Sequence, residues 1–138
     1  MKQNRERMKE ALLSIFKLDV ITSLKRFLEG ELSIMLYLYS NYGDKVNPSE
    51  IAKNLNITKG RVTALLSSLI DKEYIKMSLD NNDRRKLNVS LTELGLTEIN
   101  KEINSTDKYI DDILNKMGDE KTEELITTLH YISQKAGE

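Results

Sequence analysis

Apolar residues recur along the 138-residue chain with two different periods, and each change of period marks an element boundary. Met8, Leu12, Ile15, Phe16, Val20, Leu24 and Phe27 or Leu28 fall at helical spacing, which predicts one long helix from about Glu6 to Leu28, interrupted by Glu29-Gly30. A second helix, Leu32 to about Tyr42, is apolar almost all round (Leu32, Ile34, Met35, Leu36, Tyr37, Leu38, Tyr39), the mark of a buried central helix. Asn41-Tyr42-Gly43-Asp44 signals its end. Asn47-Pro48-Ser49-Glu50 then reads as a helix start, with Asn as N-cap, Pro at the first helical position and Glu three residues beyond the cap. Ile51, Ala52 and Leu55 give this short helix its inward face, and Asn56-Ile57 makes a turn with Ile57 as an apolar pin. Thr58 caps a further helix in which Val62, Leu65, Leu66, Leu69 and Ile70 form the inward stripe. Two short helices joined by so tight a turn are a helix-turn-helix pattern.

After Asp71-Lys72-Glu73 the period falls to two. Ile75, Met77 and Leu79 alternate with Lys76 and Ser78, and Leu87, Val89 and Leu91 with Lys86, Asn88 and Ser90, predicting a half-buried antiparallel hairpin. Its loop is too long for a two-residue turn, and excess loop length usually serves something outside the fold. Thr92 opens a long helix bearing Leu94, Leu96, Ile99, Ile103, Ile110, Ile113, Leu114 and Met117, with Asn104-Ser105-Thr106 as a candidate kink. Gly118 breaks it, and a last helix from about Asp119 carries Leu125, Ile126, Leu129 and Ile132. The terminal helices are apolar along one stripe with no partner left in the chain, so their most economical burial is against a second copy.

Composition narrows the chemistry. Charged residues at 31% and aromatics at 6% suit a helical protein better than a β-sandwich, and 39% hydrophobics argue against disorder. The absence of cysteine excludes disulfides, thiolate metal sites and thiol redox sensing, and the single histidine, His130, excludes a His-rich metal cluster. No catalytic set, phosphate loop or cofactor motif is visible, so an enzyme is not expected. No run of about 18 apolar residues occurs, and a cytoplasmic protein is expected. The formal net charge of −1 conceals segregation: the stretch Lys45–Leu91 is net basic, while the stretch from Thr92 onward is strongly acidic. Such a polarised molecule has one surface suited to phosphates.

The basic stretch coincides with the helix-turn-helix. Opposite the apolar stripe of its second helix lie Gly60, Thr63, Ala64, Ser67 and Ser68, with Lys59 and Arg61 at the helix start. Small side chains let a helix backbone approach base edges, hydroxyls donate or accept, and the methyls of Ala64 and Thr63 can pack on thymine. Arg61 suits either a bidentate bond to guanine or a phosphate contact, and Lys59 at the helix N-terminus favours phosphate. The hairpin loop carries Asp83, Arg84, Arg85 and Lys86. An arginine at such a tip can enter a narrow minor groove, and a nearby carboxylate can hold it in position.

Together these elements resemble the MarR family of winged-helix regulators. The likeness covers PSEIAKNLNITKGRVTALLSSLIDKEYI, the wing DNNDRRKLNVSLT and the LTELG that opens the return helix, and extends more loosely through MGDEKTEELITTLHYIS. It implies a mainly α fold with a small β-hairpin wing: a single domain over 1–138, with a winged helix-turn-helix lobe at 32–92 and dimerisation helices at 1–28 and 93–138. It further implies a homodimer, with Leu12, Ile15, Ile113, Leu125, Leu129 and Ile132 as interface candidates, reading a pseudo-palindromic double-stranded DNA operator, in the manner of a repressor. Within the wing the resemblance assigns Asp83 to orient Arg85 and Arg84 to phosphate. Family members often bind small anionic or aromatic effectors between the dimer helices and the DNA-binding lobe, which would bring Phe16, Phe27, Tyr37 and Tyr39 near a ligand. Two alternatives accompany this reading: a SarA-like regulator without a small-molecule ligand, and a winged helix used for protein–protein contact. The latter predicts an apolar recognition face and no basic wing, the reverse of this sequence.

Overall fold

In the computed structural model, which describes all 138 residues, two helices occupy the stretch where periodicity predicts one: α1 (Lys2–Phe16) and α2 (Asp19–Arg26). The break is at Leu18, whose backbone is extended (φ −74°, ψ 143°). Packing accounts for it. Turning the chain there lets α2 lie against its neighbours, where Ile21 and Phe27 are half-buried, whereas no residue of α1 is buried at all. The apolar period runs through Leu18 unbroken, so the sequence conceals the bend.

Helix α3 (Gly30–Ser40) is the central helix expected, with Ser33, Ile34, Met35 and Leu38 buried. Around it gather Ile51 and Ala52 of α4 (Pro48–Leu55), Val62, Leu65, Leu66 and Leu69 of α5 (Lys59–Asp71), Ile75, Val89 and Leu91 of the hairpin, and Ile99 of the last helix. Fully burying one such side chain is worth about 1.5–3 kcal/mol. This shared core, rather than helix propensity, therefore fixes how α5 sits. Ile70 departs from the predicted inward stripe and is 42% exposed, because it lies about a quarter turn around the helix from the stripe's centre line.

Both helices of the α4–α5 pair are capped as the sequence requires. Asn47 Oδ1 accepts from the Glu50 backbone N–H at 2.9 Å, and Thr58 Oγ1 from that of Arg61 at 3.1 Å. The reciprocal half of the Asn47 capping box is missing, since the Glu50 carboxylate accepts instead from the Tyr37 hydroxyl at 2.6 Å. Each helix closes with a left-handed residue and paired return bonds. At Asn56 (φ 54°) the Ile57 N–H reaches Ala52 O at 3.0 Å, and at Glu73 (φ 64°) the Tyr74 N–H reaches Leu69 O at 3.0 Å.

Strands β1 (Ile75–Leu79) and β2 (Leu87–Leu91) pair antiparallel, with Ile75 opposite Leu91 and Leu79 opposite Leu87. The half-buried alternation expected of them holds only at the base. Leu79 and Leu87, the pair nearest the loop, are exposed because the hairpin projects beyond the core there. Val46 O accepts from the Val89 N–H at 2.7 Å, so β2 is braced on its outer edge by the α3–α4 connection.

Helix α6 (Glu93–Ala136) is continuous through Asn104-Ser105-Thr106, where a kink was expected; Thr106 is buried and the helix passes straight through. Its break is at Gly118 (φ 79°, ψ 168°), as the sequence predicts. At its start Gly95 lies against the Tyr74 carbonyl, and a Cβ there would sit 1.9 Å from that oxygen. Backbone cannot yield cheaply, so Gly95→Ala should destabilise the fold by about 2–3 kcal/mol or more. Gly60, where an added Cβ meets nothing within 4 Å, should give the opposite result: Gly60→Ala should raise stability by about 0.5 kcal/mol. Urea unfolding of the two variants side by side checks both signs.

Candidate nucleic-acid interface

The outer face of α5 is set by the burial of its opposite stripe. With Val62, Leu65, Leu66 and Leu69 against the core, Lys59, Gly60, Thr63, Ala64 and Ser67 are all exposed. The Thr63 hydroxyl donates back to Lys59 O at 3.0 Å. Gly60 carries no internal explanation. A glycine near a helix start costs stability relative to alanine, and nothing in the chain needs the space its missing side chain leaves. The vacancy admits an outside surface to the helix backbone.

Ser68, predicted on the same face, is placed elsewhere. It is half-buried on the flank of α5, and its hydroxyl donates to the Glu31 carboxylate, which also accepts from Lys72 Nζ at 2.6 Å. Burial pushes the Glu31 carboxyl up, but the hydrogen bonds from Lys72 and Ser68 outweigh that, and its pKa lies below the ordinary value. Glu31 in turn raises that of Lys72. Arg61 also lies on this flank. With Thr22, Lys25 and Arg26 of α2 and Ala64 of α5, it lines an open cleft of about 730 Å³ between the two helices.

The wing loop, 80–86, is built from two successive aspartate turns. Asp80 Oδ1 accepts from the Asn82 N–H at 2.8 Å, and Asp83 Oδ1 from that of Arg85 at 3.1 Å. The same Asp83 oxygen accepts from Arg85 Nε, also at 3.1 Å, while the Arg85 side chain stays 91% exposed. Arg84 and Lys86 are exposed beside it. The loop is closed by Asp80 N–H to Lys86 O and tied to the α3–α4 connection by Lys45 Nζ to Asp80 Oδ1 at 3.4 Å. Sequence reasoning missed the roles of Asp80, Lys45 and Glu31. The Asp-x-Asn spacing could have suggested the first, but Lys45 and Glu31 act across 35 and 37 residues of chain and leave no local sign.

The aromatic candidates for an effector site have different surroundings. Phe27 borders an apolar cavity of about 310 Å³ with Leu24, Leu36, Ile103 and Ile110. Tyr37 is engaged with Glu50 and Asn54, Phe16 lies under Lys25 Nζ at 5.5 Å, and Tyr39 is exposed. The interface candidates Leu12, Ile15, Leu125, Leu129 and Ile132 are between 40% and 53% exposed, and Ile113 is half-buried.

Arg85 holds Asp83 below the usual aspartate range, first through its side-chain bond and then through its backbone N–H. A depressed carboxylate pKa means the charged pair is present above the ordinary value and is lost only as pH falls through the lower, folded one. NMR observation of the Arg85 Nε–H should therefore find the bond intact at about pH 4, near the ordinary aspartate pKa. Release at about pH 5 would contradict the assignment.

A winged helix DNA-binding domain matches residues 31–110, the span from the start of α3 through the wing and into α6. Among named proteins, the chain is 25% identical over 101 residues to the HTH-type transcriptional repressor YetL of Bacillus subtilis, covering 73% of this chain and 60% of YetL. It is 30% identical over 84 residues to the HTH-type transcriptional regulator SarZ of Staphylococcus aureus, covering 54% of this chain and 57% of SarZ. The chain thus spans under two thirds of the length of each. Among solved structures, a mutant of S. aureus MepR superposes with a TM-score of 0.75 at 22% identity over 99% of this chain and 98% of that one. A second MepR mutant, bound to an oligodeoxyribonucleotide, gives 0.64 at 21%, covering 99% and 98%. YusO of B. subtilis gives 0.69 at 19%, covering 99% and 94%. The fold is theirs, and with most of its length inside the matched domain the chain belongs to the winged helix DNA-binding family.

Proposed function

We propose that the chain is a sequence-specific transcription regulator, a repressor, that binds a pseudo-palindromic duplex as a homodimer. The observation that carries this is the pairing of two outward-facing features on one lobe. One is a recognition helix whose exposed face is Lys59, Gly60, Thr63, Ala64 and Ser67; the other is an Arg85 held by Asp83 yet almost fully exposed. The first suits a major groove and the second the minor groove beside it. Arg61, Arg84 and Lys86 add phosphate contacts. The names of YetL and SarZ, and the oligonucleotide bound to a MepR mutant, support the same reading. A DNA partner supports reading the protein as cytoplasmic; no helix of the chain is long and apolar enough to cross a membrane.

The homodimer draws on apolar surface that the single chain leaves open. Helix α1 buries nothing, and the segment of α6 beyond Gly118 exposes Leu125, Ile126, Leu129 and Ile132. One patch on each chain meeting its equivalent gives a two-fold axis, and so two recognition helices about one helical turn, ~34 Å, apart. For an effector the support is thinner. One MepR structure holds ethidium, but of Phe16, Phe27, Tyr37 and Tyr39 only Phe27 borders the apolar cavity described above. That leaves the alternative of a regulator without a small-molecule ligand as the second reading.

Selection of bound fragments from random duplexes tests the main reading, and recovered sites should share an inverted repeat. Arg85→Ala should then weaken those sites by about 1–3 kcal/mol per half-site, most at A·T-rich wing positions. Unchanged affinity would remove the wing assignment. Separately, sedimentation should find a dimer, and Leu125→Lys with Leu129→Lys should yield monomers with DNA affinity reduced by at least about 10-fold. A wild-type monomer would refute the two-fold model.

A further inference from the structure

Glu31 stands where two parts of the molecule meet. It is the second residue of α3, immediately after Gly30, whose φ of +70° turns the chain from α2 into α3. Its carboxylate reaches across to α5 and takes both Ser68 of that helix and Lys72, the residue that caps its C-terminus. No other side-chain hydrogen bond or ion pair joins α3 to α5. Ser68 lies in the C-terminal half of α5 and Lys72 caps its end; Arg61 and Ala64, nearer its start, line the same open cleft toward α2 that Glu31 and Ser68 border, but make no side-chain hydrogen bond or ion pair there. The recognition helix is thus tied by polar contacts at its far end and unsupported on this flank at its near end, the end proposed to enter the groove. The apolar stripe fixes which face of α5 meets the core and how deep it sits, and small adjustments of tilt about that seat remain for the flank to set. Directional, charge-assisted bonds restrict them.

We propose that Glu31 is a positioning residue for DNA recognition, setting the tilt of α5 through Ser68 and Lys72 without touching the duplex. Ser68 accordingly works inward, as part of this clamp, and not as a base contact. The inference rests on the proposed DNA-binding function and adds a residue outside the helix-turn-helix to its machinery.

The charge of Glu31 makes the proposal separable from a bulk electrostatic effect. Removing a carboxylate from near a DNA-binding face should tighten binding to every duplex, because non-specific affinity follows the phosphate attraction alone. Losing a positioning contact should weaken only the site whose bases must be met in register. The experiment measures binding of full-length wild type, Glu31→Gln, Ser68→Ala and the double variant by fluorescence anisotropy. The probes are the duplex selected by the wild type and a scrambled duplex of equal length, and thermal melting is followed in parallel. Glu31→Gln should lose about tenfold on the selected duplex, the order of one charge-assisted hydrogen bond, with equal or tighter binding to the scrambled one. Ser68→Ala should lose by a similar factor, and the double variant should lose no more than the worse single.

Tighter binding of Glu31→Gln to both duplexes, an equal loss on both, or additive losses in the double variant would each overturn the proposal. Additivity in particular would return Ser68 to the DNA. Should Glu31→Gln melt below the assay temperature, Glu31→Asp, which keeps the charge but shortens its reach to Ser68 and Lys72, takes its place: loss on the selected duplex alone, not added to that of Ser68→Ala, is expected, and unchanged selected binding would overturn the proposal. A wild type that prefers no duplex would instead defeat the proposed function and leave no selected site on which to compare variants.

Discussion

Thr92 makes three hydrogen bonds on which the arrangement of the lobe depends. Its backbone N–H donates to Tyr74 O at 3.0 Å, its hydroxyl donates to Glu73 O at 2.6 Å, and the same hydroxyl oxygen accepts from the Gly95 N–H at 3.0 Å. One residue thereby ties the end of the recognition helix, the first strand, the second strand and the start of α6. Gly95 completes the junction by having no side chain to hold the Tyr74 carbonyl away. The wing cannot shift against α5 without opening this knot. A helix and a hairpin meant to engage adjacent grooves of one duplex need that rigidity, since each must be in register when the other is.

From that junction outward, rigidity declines by stages. The base of the hairpin is buried at Ile75, Val89 and Leu91 and braced by Val46, whereas its distal pair, Leu79 and Leu87, is exposed. At the tip no core remains, and order comes from polar contacts: Asp80 and Asp83 each fold their own loop segment through their carboxylates, backbone bonds join Asp80 and Asp83 to Lys86, and Lys45 anchors Asp80. Polar contacts take over where apolar burial ends. The same division holds for α5, whose inward stripe is apolar and whose flank is held by Glu31.

Features governed by nearest neighbours along the chain were legible in the sequence. The caps at Asn47 and Thr58, the turn at Asn56-Ile57, the Asp83–Arg85 pair and the break at Gly118 all depend on residues within five positions of one another, and all appear as read. The failures have a common cause in longer-range demands. Leu18 bends because α2 must pack against distant helices, although its own spacing fits a continuous helix. Ser68 is drawn inward by a residue 37 positions away. Asn104-Ser105-Thr106 has the local look of a weak helix, yet burial of Thr106 holds it straight. Leu79 and Leu87 alternate correctly but outrun the core they should face. Periodicity reports which side of an element is apolar, and says nothing of whether a partner reaches that far.

Charge placement in the wing bears on how such a loop would act on DNA. Asp80 and Asp83 offset two of the three cations Arg84, Arg85 and Lys86, so the tip attracts a duplex weakly from a distance. Neither carboxylate is there for attraction. Each accepts backbone N–H bonds that shape the loop, and Asp83 also fixes one edge of the Arg85 guanidinium while leaving the group exposed. The chain gives up long-range pull to hold one donor in a defined direction before contact. An arginine already oriented loses less side-chain freedom on entering a groove than a free one, whose rotamer entropy is about 2 kcal/mol. A wing of this kind contributes mainly through orientation, and the phosphate attraction must then come largely from elsewhere on the lobe, from Lys59, Arg61 and the positive end of α5.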